Sequence, residues 1–232
     1  KDIIDLKLNS AQEKITILSK VDPDNLARLH LENYLEFFEL FINEDEFRFK
    51  VLEKNKDKRI DFIEKNIPDS DPYKKFIQAE IKLQWAVTRS KFDQLFKAAR
   101  EVLSAYNLLK ENTKDHPDFI YNKKSLSIIH SLIETITIPG IFKKFFGIKG
   151  SIALGISEIT AVLDHSYENE FIFREEADAI YTFILFYQNN EKEKAWDFLN
   201  TSRIDPATSP LGTFLFTKVA QRSGRNAKAI DA

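Results

Sequence analysis

The stretch NLARLHLENYLEFFELFIN, Asn25–Asn43, decides the fold class. At helical spacing it carries one apolar series, Leu26, Leu29, Tyr34, Phe37 and Phe41, and a second, Leu31, Leu35, Phe38 and Ile42. A surface helix needs a single apolar stripe, so a helix with two must be covered by neighbours on both sides. Asp24 or Asn25 supplies a capping oxygen for its first free amides. The pattern recurs in DPYKKFIQAEIKLQWAVTRSKF, where Asp71 caps a helix with Pro72 at its tolerated first position. Phe76, Leu83 and Val87 form one stripe there, and Ile77, Ile81, Trp85 and Thr88 the other. LFKAAREVLSAYNLLKEN then stacks Leu95, Ala98, Val102, Ala105 and Leu109 on one face, with alanines small enough for close helix approach. Further helices are predicted at 4–20, 44–65, 122–136, 150–167, 171–188, 191–201 and 209–223. No alternating run bounded by turn residues predicts a strand.

Composition agrees with a helical protein. The 232 residues are 43% hydrophobic and 30% charged, enough to bury a substantial core. Thirty-four basic and 36 acidic residues leave a net charge of -2, which indicates no basic face for nucleic acid. Seven prolines and six glycines are too few for an all-β chain with its frequent turns. The absence of cysteine excludes disulfides, thiolate metal sites and cysteine nucleophiles, but it leaves the compartment open: exported and cytoplasmic residence both fit. There is no methionine, so Lys1 is not expected to be the gene's first residue. No apolar run approaches the roughly 18–20 residues that cross a bilayer; TFILFY, Thr182–Tyr187, is far shorter. A single helical domain over 1–232 without a transmembrane segment is the expectation.

Two alanines test for a repeat. Ala195 in EKEKAWDFL and Ala229 in RNAKAID each follow a polar turn, QNNE and SGRN, and lie 34 residues apart. With that period the chain resembles tetratricopeptide-repeat proteins, whose second helix carries a small residue at repeat position 20 where the two helices touch. Placing Ala195 there puts Phe186 at position 11, Leu199 at 24, and Phe183 at 8, where a small residue is usual. Ala229 likewise puts Phe216 at 7, Ala220 at 11 and Gly224 in the turn, and Ala98 puts Trp85 at 7, Ala86 at 8 and Ala105 at 27. The resemblance implies an all-α array of roughly five or six antiparallel helix pairs in a right-handed superhelix. It implies a non-catalytic scaffold without cofactor, whose concave face holds a peptide or partner protein. The groove-facing positions of the first helices are then Ser90 and Lys91; Ile180, Ile184, Tyr187 and Gln188; and Phe214, Lys218, Gln221 and Arg222. Lys218 and Arg222, one turn apart, can hold a partner's carboxylate. Because the chain ends within AKAIDA, where a second helix begins, further repeats are expected beyond it.

IPGIFKKFFGIKG, Ile138–Gly150, breaks the helical pattern. Pro139 ends the helix before it, Ile141, Phe142, Phe145 and Phe146 turn inward, and Lys143 and Lys144 face water. Gly147 and Gly150 supply backbone angles closed to other residues. The order of proline, aromatic-basic turn, FG and GI resembles, over about 125–164, the tetratricopeptide family that includes eukaryotic inclusion-body clearance proteins linked to the mitochondrial outer membrane. That resemblance implies a joint between helix pairs. The competing use is peripheral membrane contact through Phe145, Phe146 and the lysines.

No catalytic constellation or metal site is predicted. GSIALGIS imitates a phosphate-binding loop but has Ile156 in place of the lysine, so Gly155 is read as structural. Asp69–Glu80 imitates a calcium loop but has Lys74 at the glycine position. His30, His116, His130 and His165 are scattered; His130 with Glu134 gives two ligands and no third, the sole support for a helical enzyme or ligand-binding pocket.

Overall fold

The computed structural model describes residues 1–23, 25–135 and 147–231; Asp24, Pro139 and the rest of the aromatic-basic turn lie outside the described residues. Every regular element described is helical, so the protein is all-α, with no strand among the described residues. The helices are α1 (Leu8–Val21), α2 (Leu26–Asn43), α3 (Glu46–Asn66), α4 (Pro72–Lys91), α5 (Leu95–Asp115), α6 (Tyr121–Thr135), α7 (Ile152–Glu168), α8 (Arg174–Phe183, continued by a π turn Ile184–Gln188), α9 (Lys192–Thr201), α10 (Pro210–Arg222) and α11 (Asn226–Asp231). Asn25 caps α2 through the Ala27 N–H at 3.0 Å, and Asp71 caps α4 through the Tyr73 N–H at 2.8 Å. Contacts divide the chain into two compact units.

Unit 1, Lys1–Ile3 with Lys7–Phe119, holds α1 to α5. As its two stripes require, α2 packs against α1, α3 and α4, and none of its residues from Arg28 to Leu40 is exposed. Between the stripes sits a polar hub absent from the sequence reading. Asn33 accepts hydrogen bonds from the Trp85 indole (2.9 Å) and Arg59 (3.3 Å), and donates to Gln84 (2.6 Å). Arg59 in turn grips Glu36 with both terminal nitrogens. Four residues assigned to apolar stripes, Phe41 and Ile42 at the end of α2, Val87 of α4 and Leu95 at the start of α5, are instead exposed.

Unit 2, Ile4–Leu6 with Ile120–Ala232, holds α6 to α11. Buried serines on α6 bring α7 unusually near. A Cβ on Gly155 would lie 2.6 Å from the Ser127 carbonyl oxygen, and one on Gly150 would lie 2.7 Å from the His130 Cα. Gly150 therefore serves close approach and not a left-handed backbone; among these glycines that geometry belongs to Gly147, at φ +58°. Ser151 caps α7, and the Glu134 carboxylate takes the Ile152 N–H beside it. Two apolar clusters follow along the chain, Ile159, Val162, Leu163, Phe171, Ala177 and Ile184, then Leu185, Phe186, Ala195, Leu199 and Val219.

Three helix pairs turn in the same way. Asp93, Asn190 and Gly224 all have positive φ (56°, 54° and 77°), and each is followed by the residue that starts the second helix: Gln94, Glu191 and Arg225. Four residues later the N–H of Ala98, Ala195 or Ala229 bonds back to that residue's carbonyl, at 2.9, 2.9 and 3.1 Å. The three alanines singled out by spacing thus hold one structural place. Between α2 and α3 the left-handed residue is Glu44 and the equivalent position is Phe49, so that pair meets over a large side chain.

Candidate functional site

The sequence places ten residues on a groove face, and the π turn in α8 changes which of them belong there. The Asn189 N–H reaches the Ile184 carbonyl five residues back, at 2.9 Å, and the Glu191 N–H reaches the Leu185 carbonyl six back, at 2.8 Å. In the other two turns the corresponding bonds, Gln94 to Arg89 and Arg225 to Ala220, span five. One extra residue is wound into the helix. Relative to the other two pairs, each residue before it therefore sits one place later than its count along the chain.

With that correction Leu185 matches Arg89 and Ala220, and Ile184 matches the buried Thr88 and Val219. Ile184 is 0% exposed and belongs to the core, not the groove. Ile180 likewise moves to the place of Gln84 and Leu215 and packs, partly buried, against the Ile184 cluster. Phe183 takes the place equivalent to Val87 and Lys218 and, partly buried, packs against the same cluster. By the same equivalence, small and fully buried Thr182 takes the place of Ala86, and Tyr181 that of Trp85 and Phe216.

The other predicted groove residues divide by unit. In unit 1, Ser90 bonds to the Val87 carbonyl, while Lys91 pairs with Glu44 and sits 4.9 Å from the Phe41 ring centre, so both are engaged locally. In unit 2 the face is open. Tyr187 is 44% exposed with its ring 5.1 Å from Phe183, and Phe214 is 56% exposed with the Lys218 ammonium 5.7 Å from its ring. Gln221 and Arg222 are exposed one turn on. Gln188 is half-buried, and both amide atoms are enclosed without a hydrogen-bond partner. Each first helix thus shows water an exposed ring, Tyr187 near an unsatisfied amide and Phe214 beside a cation, groups that can take the apolar side chains, carbonyls and carboxylates of an extended chain. No protein family, curated protein or solved structure matches the chain.

The residues named for catalysis or metal binding separate. His130 Nδ1 lies 2.7 Å from Glu158, not Glu134, which is committed to the start of α7. Among the described residues no three histidine or acidic side chains come together for a metal, and no helix is long and apolar enough to cross a membrane.

One carboxylate is strongly perturbed. Burial pushes Asp178 up to about 6, opposed by nearby Arg174 and reinforced by Glu175, while its Oδ2 accepts the Arg203 N–H at 2.9 Å. The folded protein therefore holds this proton more tightly than the unfolded chain. The cost of burying the charge is absent below the ordinary value of 3.8 and complete above about 6, so this group's contribution lowers stability as pH rises through that window. Asp178→Asn keeps an acceptor for Arg203 and is expected to raise the melting temperature at pH 7.5 by about 3–6 °C, with little change at pH 4. Calorimetry at the two pH values checks the difference.

A cluster that the sequence reading missed lies in unit 1, where Lys56, Lys82, Arg89, Lys97 and Arg100 converge beside Glu101. A signal existed in the helical spacing of Lys82 with Arg89, and of Lys97 with Arg100, Glu101 and Ser104. The near-neutral charge of the whole chain concealed it.

Proposed function

We propose that the protein is a non-catalytic scaffold built of tetratricopeptide-type helix pairs, which holds an extended segment of a partner protein on the first-helix face of unit 2. The observation that carries this reading is the turn shared by α4–α5, α8–α9 and α10–α11, with a left-handed residue and, five positions on, the alanine of the second helix. In unit 2 the first helices of two such pairs contribute, with the second helix between them in sequence, to one apolar cluster. The segment places an apolar side chain against Phe214 and Tyr187, and a carboxylate against Lys218 and Arg222. Peripheral membrane contact remains the competing use, through a turn outside the described residues.

A photo-crosslinking residue at position 187 or 214, in the full-length protein in its own cell, is expected to capture one partner through one short acidic-apolar segment. Lys218→Glu with Arg222→Glu is expected to reduce that capture at least tenfold, because both cations become repulsive. Equal capture by a crosslinker at exposed Ile172, or capture indifferent to the charge reversal, would falsify the reading.

A further inference from the structure

Unit 1 contains a second, chemically different surface, independent of the scaffold reading. Lys56 of α3, Lys82 and Arg89 of α4, and Lys97, Arg100 and Ser104 of α5 line a cavity of about 360 Å³ together with Glu101. A small organic ligand fits a space of that size.

The charges in its wall do not balance. Glu101 lies beside Lys56 and within 3.7 Å of both Lys82 and Arg89. Glu53 faces Arg89 at 2.7 Å and Lys97 at 3.9 Å, and Asp57 faces Lys56 at 3.2 Å. Five cations thus meet three carboxylates, and exposed Arg100 has no ion pair among the described residues. Two positive charges are in surplus.

Arg89 shows where a ligand atom is wanted. It is 5% exposed, held between Phe49 and Trp85 with its guanidinium carbon 6.0 and 5.8 Å from their ring centres. One terminal nitrogen donates to Glu53 and to Gln94, each at 2.7 Å. Its Nε is buried and has no acceptor, since Glu101 at 3.7 Å stands beyond hydrogen-bonding distance. A buried guanidinium N–H without an acceptor is costly unless something else supplies one.

We propose that this pocket binds the phosphoryl group of a phosphate monoester. A surplus of two charges equals that group's charge of about −1.5 to −2 at neutral pH. A carboxylate would neutralise half of it. Donors arriving from three helices suit a tetrahedral group whose oxygens point several ways, whereas a planar carboxylate is satisfied by one guanidinium fork. The ester can be a soluble metabolite or a lipid headgroup, and the two share the recognised chemistry.

Calorimetric titration of the full chain with glycerol 3-phosphate, and co-sedimentation with phosphatidylcholine vesicles carrying phosphatidic acid, separate the two sources. Saturable binding in either arm, weakened about tenfold by Arg100→Ala and by Lys82→Ala, supports the proposal. Glu101→Gln is expected to tighten it, because a third charge becomes unbalanced, an outcome that a purely structural role for these residues does not produce. Should Glu101→Gln fail to fold, as circular dichroism would reveal, the exposed Arg100→Ala carries the test alone. Binding in neither arm, binding indifferent to both cation variants, or tighter binding of a tetraglutamate peptide than of either phosphate overturns it.

Discussion

Ile184→Ala is expected to destabilise unit 2 by about 3 kcal/mol, while Tyr187→Ala, three residues on, costs about 1 kcal/mol. The two residues were assigned to the same face on repeat spacing, and they differ because of one hydrogen-bond shift. Ile184 is fully buried in one cluster with Ile159, Val162, Leu163, Phe171 and Ala177, so truncating it removes apolar contacts and leaves a cavity in a close-packed core. Tyr187 keeps nearly half its surface in water and loses only ring contacts with Phe183 and Phe186. Native-state hydrogen exchange of amides in α8 and α9 measures both. Equal losses would mean that the extra residue is not wound into this helix, and the equivalence of Phe183 with Val87 and Lys218 would fall with it. The Tyr187 variant also bears on function, since it should retain its fold while losing partner contact.

Lys124→Ala is expected to cost unit 2 about 3–5 kcal/mol. Lys124 is 1% exposed, its ammonium 2.7 Å from Glu176 and 4.7 Å from the Phe173 ring centre, so its charge is removed from water and sustained by these neighbours. Alanine deletes the stem as well and deprives the Glu176 carboxylate of the cation it faces. Lys124→Met keeps the volume and should recover the packing share, and Lys124→Met with Glu176→Leu should come within about 1.5 kcal/mol of the parent, because the buried cation and its partly buried carboxylate are then replaced together by apolar groups. Urea titration of the four proteins orders them. A loss below about 1 kcal/mol for the alanine variant would show that the pair is solvated.

Helix class, helix order and the caps of α2 and α4 were legible in the sequence because they depend on residues within one turn of each other. The two stripes of α2, Asp71 before Pro72 and the alanines five residues after each turn's left-handed residue are all local statements. Spacing brought out Ala98, Ala195 and Ala229 as one repeated place, and the backbone gives them one geometry. What spacing misread was Ile180 and Ile184, since a count along the chain assumes an unbroken α-helix and cannot register a wider turn. The role of Gly150 was misread for a related reason: its requirement comes from the His130 backbone, twenty residues away, and not from its own dihedral angles.

The amino-acid order by itself determined that the chain is helical, where its helices start and that they pair through short turns, because capping, periodicity and turn chemistry act over a few residues. Only the tertiary structure decided which side chains meet. Asn33 finds Trp85 across 52 positions and Lys56 finds Glu101 across 45, and the cost of burying such polar groups is met by partners that packing alone brings within reach.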